Sequence, residues 1–143
     1  MSDELMLAEF DLPFGWTICF PDDWEHESSE NENVFYPPYS ELTIRIAVFN
    51  AENEQGKCPA DMMRDVYFRT HPSTAKEFSV PFQIEGFELS AFENTFFEKR
   101  VKVYRICVGC WADGKLVLVN LFSTDREECV EGLEFISTLT HSE

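Results

Sequence analysis

Cys107-Val108-Gly109-Cys110 has the spacing of a dithiol redox or metal-binding pair. A reactive first cysteine of that kind needs a helix N-terminus, whose dipole lowers the thiol pKa. Here Trp111-Ala112-Asp113-Gly114 follows instead, a hairpin signal, and thiols three residues apart on a strand face opposite ways. A four-ligand zinc site would have to gather Cys19, Cys58, Cys129 and His71 as scattered singles. The cysteines are therefore read as buried free thiols with no metal, and whether Cys107 and Cys110 have a redox role is left open by the sequence.

The other reactive types are equally isolated. Nucleophilic catalysis needs a base beside Ser, Thr or Cys, and only His26, His71 and His141 are on offer. His141 lies in the tail, His71 precedes Pro72 at a helix stop, and His26 alternates with Glu25 and Glu27 so that its imidazole faces away from them. Paired carboxylates do acid and base work only where their surroundings push two pKa values apart, which a solvated acidic loop holding Asp22, Asp23, Glu25 and Glu27 does not do. The same oxygens lack the Gly and Glu spacing of a calcium loop. Six dispersed glycines supply no phosphate cradle. No catalytic residue and no cofactor is assigned, and a small-molecule hydrolase built on the N-terminal carboxylates is kept as the alternative.

Charge carries more information. Ten carboxylates and no lysine or arginine fall within the first 34 residues. Residues 1–56 hold 13 acids against Arg45 alone, and the other 14 acids share their part of the chain with ten bases. The net charge of −16 is thus polarised. Such a field speeds encounter with a basic protein and repels nucleic acid and anionic membranes. Against it stands one basic cluster, Lys99, Arg100, Lys102 and Arg105, read as cross-strand ion pairs with the chain's own acids. Phe35-Tyr36-Pro37-Pro38-Tyr39 is a second contact candidate, since Tyr36 and Tyr39 could present rings on a stiff loop.

The elements that hold these groups follow from periodicity. With 143 residues, 44% of them hydrophobic, the whole chain fits one domain spanning 1–143. Trp16, Ile18 and Phe20 share one side of a strand that turns at Pro21-Asp22-Asp23 into a short strand over Trp24 to Glu27. Val34 to Tyr36 is stopped by Pro37-Pro38. In the next strand Leu42, Ile44, Ile46 and Val48 face opposite to Thr43, Arg45 and Ala47. A helix from Pro59 buries Met63, Val66 and Tyr67 and ends at His71-Pro72. A strand follows through Phe87, Leu89 and Ala91, then a hairpin of Arg100 to Trp111 and Lys115 to Ser123 turning at Asp113-Gly114. Thr124 and Glu127 have capping-box spacing, opening a helix with Cys129, Leu133 and Ile136 inward and Glu131 and Glu134 outward. The expected class is α+β, a single antiparallel sheet flanked by helices.

This order of pieces looks like the PsbP/Mog-like superfamily of small α/β/α sandwiches, in its uncharacterised bacterial branch. The most specific part is the strand Gly15 to Phe20 running into Pro21-Asp22-Asp23-Trp24, similar to the family's early strand, Pro-Asp/Glu-Gly turn and Trp, with Asp23 where the family has Gly. The resemblance implies binding in preference to catalysis, since members include a photosystem subunit, a small-GTPase release factor and effector chaperones. It transfers no site residue.

The expectation is a non-catalytic accessory protein of immunity-protein or effector-chaperone type. It would meet a basic protein partner through Asp22, Asp23, Glu25, Glu27, Tyr36 and Tyr39. A passive subunit of a larger assembly is a further alternative. An acidic N-terminus without a signal-like apolar run, no apolar stretch near the ~20 residues of a membrane helix, and five cysteines together predict a cytoplasmic protein.

Overall fold

Alternation of apolar and polar residues builds most of this molecule. A computed structural model describes residues 6–29, 32–50, 76–84, 86–112 and 115–141. The expected helix from Pro59, together with Cys58, His71 and the Asp113-Gly114 turn, lies outside those residues. Two antiparallel sheets form. The smaller has β2 (Trp16–Pro21) at its centre, with β1 (Leu7–Leu12) on one side and β10 (Thr140–His141) on the other. The larger runs, edge to edge, through β3 (Glu25–Ser28), β4 (Asn33–Tyr36), β5 (Thr43–Asn50), β9 (Lys115–Ser123), β8 (Val101–Ala112), β7 (Glu88–Glu98) and β6 (Lys76–Glu77). Among the described residues one α-helix is present, α1 (Arg126–Ile136), besides a single 3-10 turn at Pro13–Gly15. No helix among them is long and apolar enough to cross a membrane.

The expected single sheet flanked by helices is therefore wrong, and the reason lies in β1. Beneath its acids the segment alternates: Ala8, Phe10 and Leu12 pair with Phe20, Ile18 and Trp16, while Leu7, Glu9 and Asp11 are exposed. With β1 on one flank and β10 on the other, the β2 ladder is filled on both sides and cannot join the larger sheet. Instead the two sheets stack as a sandwich. Phe20 lies on Phe35 with ring centroids 4.3 Å apart, and Phe10 meets Phe35 edge-on at 5.0 Å. Each such ring contributes roughly 1.5–3 kcal/mol by leaving water.

The sandwich buries Trp16, Ile18, Phe20, Phe35, Ile44 and Ile46 between its layers, and α1 closes the same side with Cys129, Leu133 and Ile136. On the opposite face of the large sheet Phe92, Cys107, Leu116 and Leu118 form a second buried cluster. Strand parity explains the division. Cys107 belongs to one face and Cys110 to the other, as expected for thiols three apart. The predicted capping box is corrected by one residue. Asp125 is the N-cap, its carboxylate accepting from the Glu127 N–H at 2.9 Å, while the Thr124 hydroxyl donates to Glu41. With the Thr124 hydroxyl engaged by Glu41, the Asp125 carboxylate takes the free backbone donor, a role in which Asp is among the favoured residues.

Strands β7 and β8 pair from Glu88↔Trp111 to Glu98↔Val101, whereas β9 leaves β8 at Tyr104↔Ser123. Three residue pairs of the hairpin thus overhang the sheet, about 10 Å of free ribbon.

Candidate functional site

Three segments converge at one end of the sandwich. The first is the turn after β2, closed by the Trp24 N–H donating to the Pro21 carbonyl at 3.1 Å. The second is the loop from β4 to β5, where Pro37 is buried and the Leu42 N–H donates to the Ser40 hydroxyl at 3.2 Å. The third is α1. Together they enclose a cleft of about 390 Å³, with Pro21, Trp24, Pro37, Tyr39, Leu42 and Phe135 as its apolar surface. Trp24 is held by stacking on Phe20 at 5.1 Å and by the edge of Phe135 at 5.1 Å. Gly132 sets how closely α1 sits: a Cβ there would come within 3.0 Å of Leu121 Cδ2 and 3.1 Å of Leu42 Cδ2.

The charge in the cleft is of one sign. Glu128, Glu131 and Glu134, one helical turn apart in succession, line it, and among the described residues no lysine or arginine does. Glu128 is engaged, accepting from the Ser123 hydroxyl at 2.7 Å. Glu131 and Glu134 are exposed and take no ion pair among the described residues. Aromatic faces beside free carboxylates suit a cation: the carboxylate supplies the charge partner and the ring a further ~0.5–2 kcal/mol. Glu128, Glu131 and Glu134 were not among the expected contact residues. Their spacing was visible, but a glutamate stripe opposite an apolar face ordinarily means only a solvated helix surface.

The expected contact residues are split by the large sheet. Asp22 and Asp23 are exposed on the turn beside Pro21 and Trp24, and Tyr39, 68% exposed, lines the cleft. Glu25 and Glu27 project from the other face of β3, where they oppose Tyr36 and Val34. Partial burial, with Glu27 and Glu25 adding to it, raises the Tyr36 pKa. Tyr36 and Tyr39 therefore belong to different surfaces. His26 does face away from its flanking glutamates, stacking on Phe35 at 4.4 Å with Nε2 3.0 Å from Asn33 Oδ1.

Among the described residues Lys99, Arg100 and Lys102 do not form the expected ion pairs. Arg105 is buried, its guanidinium 5.8 Å from the Phe122 ring centre. Lys99, Arg100 and Lys102 sit exposed on the overhanging ribbon and pair with no carboxylate among the described residues. From β8 to β3 is four strand spacings, about 19 Å, so the basic ribbon leaves the acidic edge unneutralised.

No protein-family model matches this chain, and no curated protein matches it in sequence. Solved structures do. A protein from Bacteroides thetaiotaomicron superposes with a TM-score of 0.68 at 16% identity, covering 94% of this chain, which spans 48% of that one. The cyanobacterial PsbP (CyanoP) of Synechocystis sp. PCC 6803 gives 0.67 at 14% identity, with 95% and 92% of the two chains covered. LpqN, involved in cell envelope biogenesis of Mycobacterium tuberculosis, gives 0.54 at 13% identity, covering 99% and 93%. At these identities the likeness is one of fold, and the fold is PsbP-like.

Proposed function

We propose that this PsbP-like chain is a non-catalytic accessory protein that recognises a basic protein partner through its acidic end. The observation that carries this is the cleft: an aromatic floor with Glu131 and Glu134 free on its rim and Asp22 and Asp23 beside it. Fixed, unpaired carboxylates give encounter rate and specificity, and the rings give a desolvated anchor. Nucleic acid and anionic membranes are disfavoured partners on the same charge argument. A cytoplasmic protein of a bacterial branch, of immunity-protein or effector-chaperone type, is the finer form of the proposal.

The test is capture from native cells by the wild-type chain and by two charge-reversed variants, Asp22→Lys/Asp23→Lys and Glu131→Lys/Glu134→Lys. A partner of net positive charge, lost roughly tenfold or more in each variant and released by added salt, is the expected result. Capture indifferent to both reversal and salt would end the electrostatic reading.

One observation favours a second reading. A cleft of this volume falls within the range of small-molecule sites. The hydrolase alternative would then rest on Glu131 and Glu134 in place of the N-terminal carboxylates. The Ser40 hydroxyl already accepts from Leu42 N–H, and neither histidine nor cysteine lines the cleft among the described residues. Turnover in a panel of ester and glycoside substrates, abolished by Glu131→Gln/Glu134→Gln, would establish it over the binding reading.

A further inference from the structure

Beyond Phe96, whose ring meets Phe122 edge-on at 6.2 Å, the tip of the ribbon overhanging β9 is exposed. Its turn is Lys99 and Arg100, with φ of 50° and 70°. Two central residues at positive φ make a type I′ hairpin turn, a role ordinarily filled by Asn-Gly. Each non-glycine residue held there costs roughly 1–2 kcal/mol, so two long cations are kept at a strained tip. Behind them Phe97 is 73% exposed and Val101 49% exposed, with Lys102 directly across from Phe97. An open aromatic among three cations is an arm without a socket.

The complementary socket lies at the same end of the same molecule. Thr43 pairs with Phe122 and Phe122 with Arg105, so the segment entering β5 through Leu42 and the hairpin tip leave the sheet in one direction. From β5 across β9 to β8 is two strand spacings, about 10 Å. Leu42 and Tyr39 border the cleft, whose rim holds the free carboxylates Glu131 and Glu134. Cations and an exposed ring therefore stand beside an acidic aromatic cleft, and the exposure of Phe97 shows that the two do not meet within one chain.

We propose that the Phe97–Lys102 arm of one copy docks into the Trp24–Tyr39–Glu131 cleft of a second copy, and reciprocally, giving a two-fold dimer. Arm and cleft lie on one end, so a single rotation satisfies both contacts, as a closed isologous interface requires. The net charge of −16 repels the copies at low ionic strength while the contact charges attract them, which makes charge exchange a cleaner readout than salt. This inference goes beyond the basic-partner reading and is measured on the purified chain alone, so either can fail without the other.

Sedimentation velocity of the full chain at physiological ionic strength, over a wide concentration range, tests it. The wild type is expected to show a reversible monomer–dimer equilibrium. Lys99→Glu/Arg100→Glu and Glu131→Lys/Glu134→Lys should each weaken it by roughly tenfold or more, and Phe97→Ser should weaken it with no change of charge. Mixed one to one, the two charge-reversed chains should form a heterodimer, because both contacts again join opposite charges. All the altered residues are exposed, and circular dichroism confirms that each variant is folded before its association is compared. A wild type that stays monomeric, a dimer indifferent to the arm variants, a mixture that does not associate, or growth into longer chains would each overturn the proposal.

Discussion

Lys99 and Arg100 occupy backbone conformations that their side chains make expensive. Replacing them as Lys99→Asn/Arg100→Gly should therefore stabilise the fold by about 1–2 kcal/mol, seen as a higher denaturation midpoint. An unchanged midpoint would show that the turn carries no such cost. The buried thiols give a second residue-scale expectation. Burial is the main cause that pushes Cys107, Cys110 and Cys129 from 9.0 up to about 12; Arg105 opposes the rise at Cys107, whereas Cys107 adds to it at Cys110 and Glu128 and Asp125 add to it at Cys129. A thiol pKa raised by folding means that the folded chain holds its proton more tightly. The stabilisation is fully present below pH 9 and is lost as pH rises from 9 through 12. Each thiol adds up to roughly 1.4 kcal/mol per pH unit to that fall. Denaturation midpoints taken on either side of pH 9 check it, and Cys107→Ala/Cys110→Ala should flatten the decline. A midpoint constant across that window would refute the assignment.

At the scale of elements, β3 is the edge of the larger sheet, and Glu25, His26, Glu27 and Ser28 along it are all exposed. An unpaired edge invites another strand, and charged side chains blunt it. Glu25→Val/Glu27→Val should accordingly promote aggregation under conditions where the wild type stays dispersed, as light scattering would record. If the variant stays equally dispersed, the two glutamates do not guard the edge. What was legible among the elements follows the clarity of their alternation. β2, β5 and β9 were readable because single apolar residues alternate or run unbroken between turn signals. β1 alternates Ala8, Phe10 and Leu12 with Glu9 and Asp11, a strand pattern missed when the two acids are counted only toward the acidic field. The end of β7 was obscured by adjacent Phe96 and Phe97 and by a turn made of Lys-Arg in place of Asn-Gly. The second sheet was not legible because a ladder filled from both ends of the chain, Leu7–Leu12 and Thr140–His141, leaves no local trace. Half of the cleft was legible for the same reason. The turn at Pro21 and the ring of Tyr39 are local features, whereas the glutamates of α1 join them only through the docking of the helix that Gly132 permits.

For the whole molecule, geometry decides what the polarised charge can do. Four strand spacings, about 19 Å, part the basic ribbon from the acidic edge, well beyond the ~8 Å over which exposed charges act in physiological salt. The β3 edge and the ribbon therefore each present their own sign to whatever approaches. Among the rings that join the two layers near that acidic edge is an imidazole. The ring of His26 lies flat on Phe35 of the large sheet, at an interplanar angle of 1°, and meets Phe10 of the small sheet at 5.1 Å. Circulating π electrons above and beside it must displace its carbon-bound proton resonances from their free-histidine positions. The part of that displacement due to Phe10 should vanish at the denaturant concentration where the sheets part, while the part due to Phe35, in the same sheet as His26, persists as long as β3 and β4 stay paired. The molecule thus carries a magnetic indicator of its own interlayer contact, readable in a one-dimensional spectrum without a label.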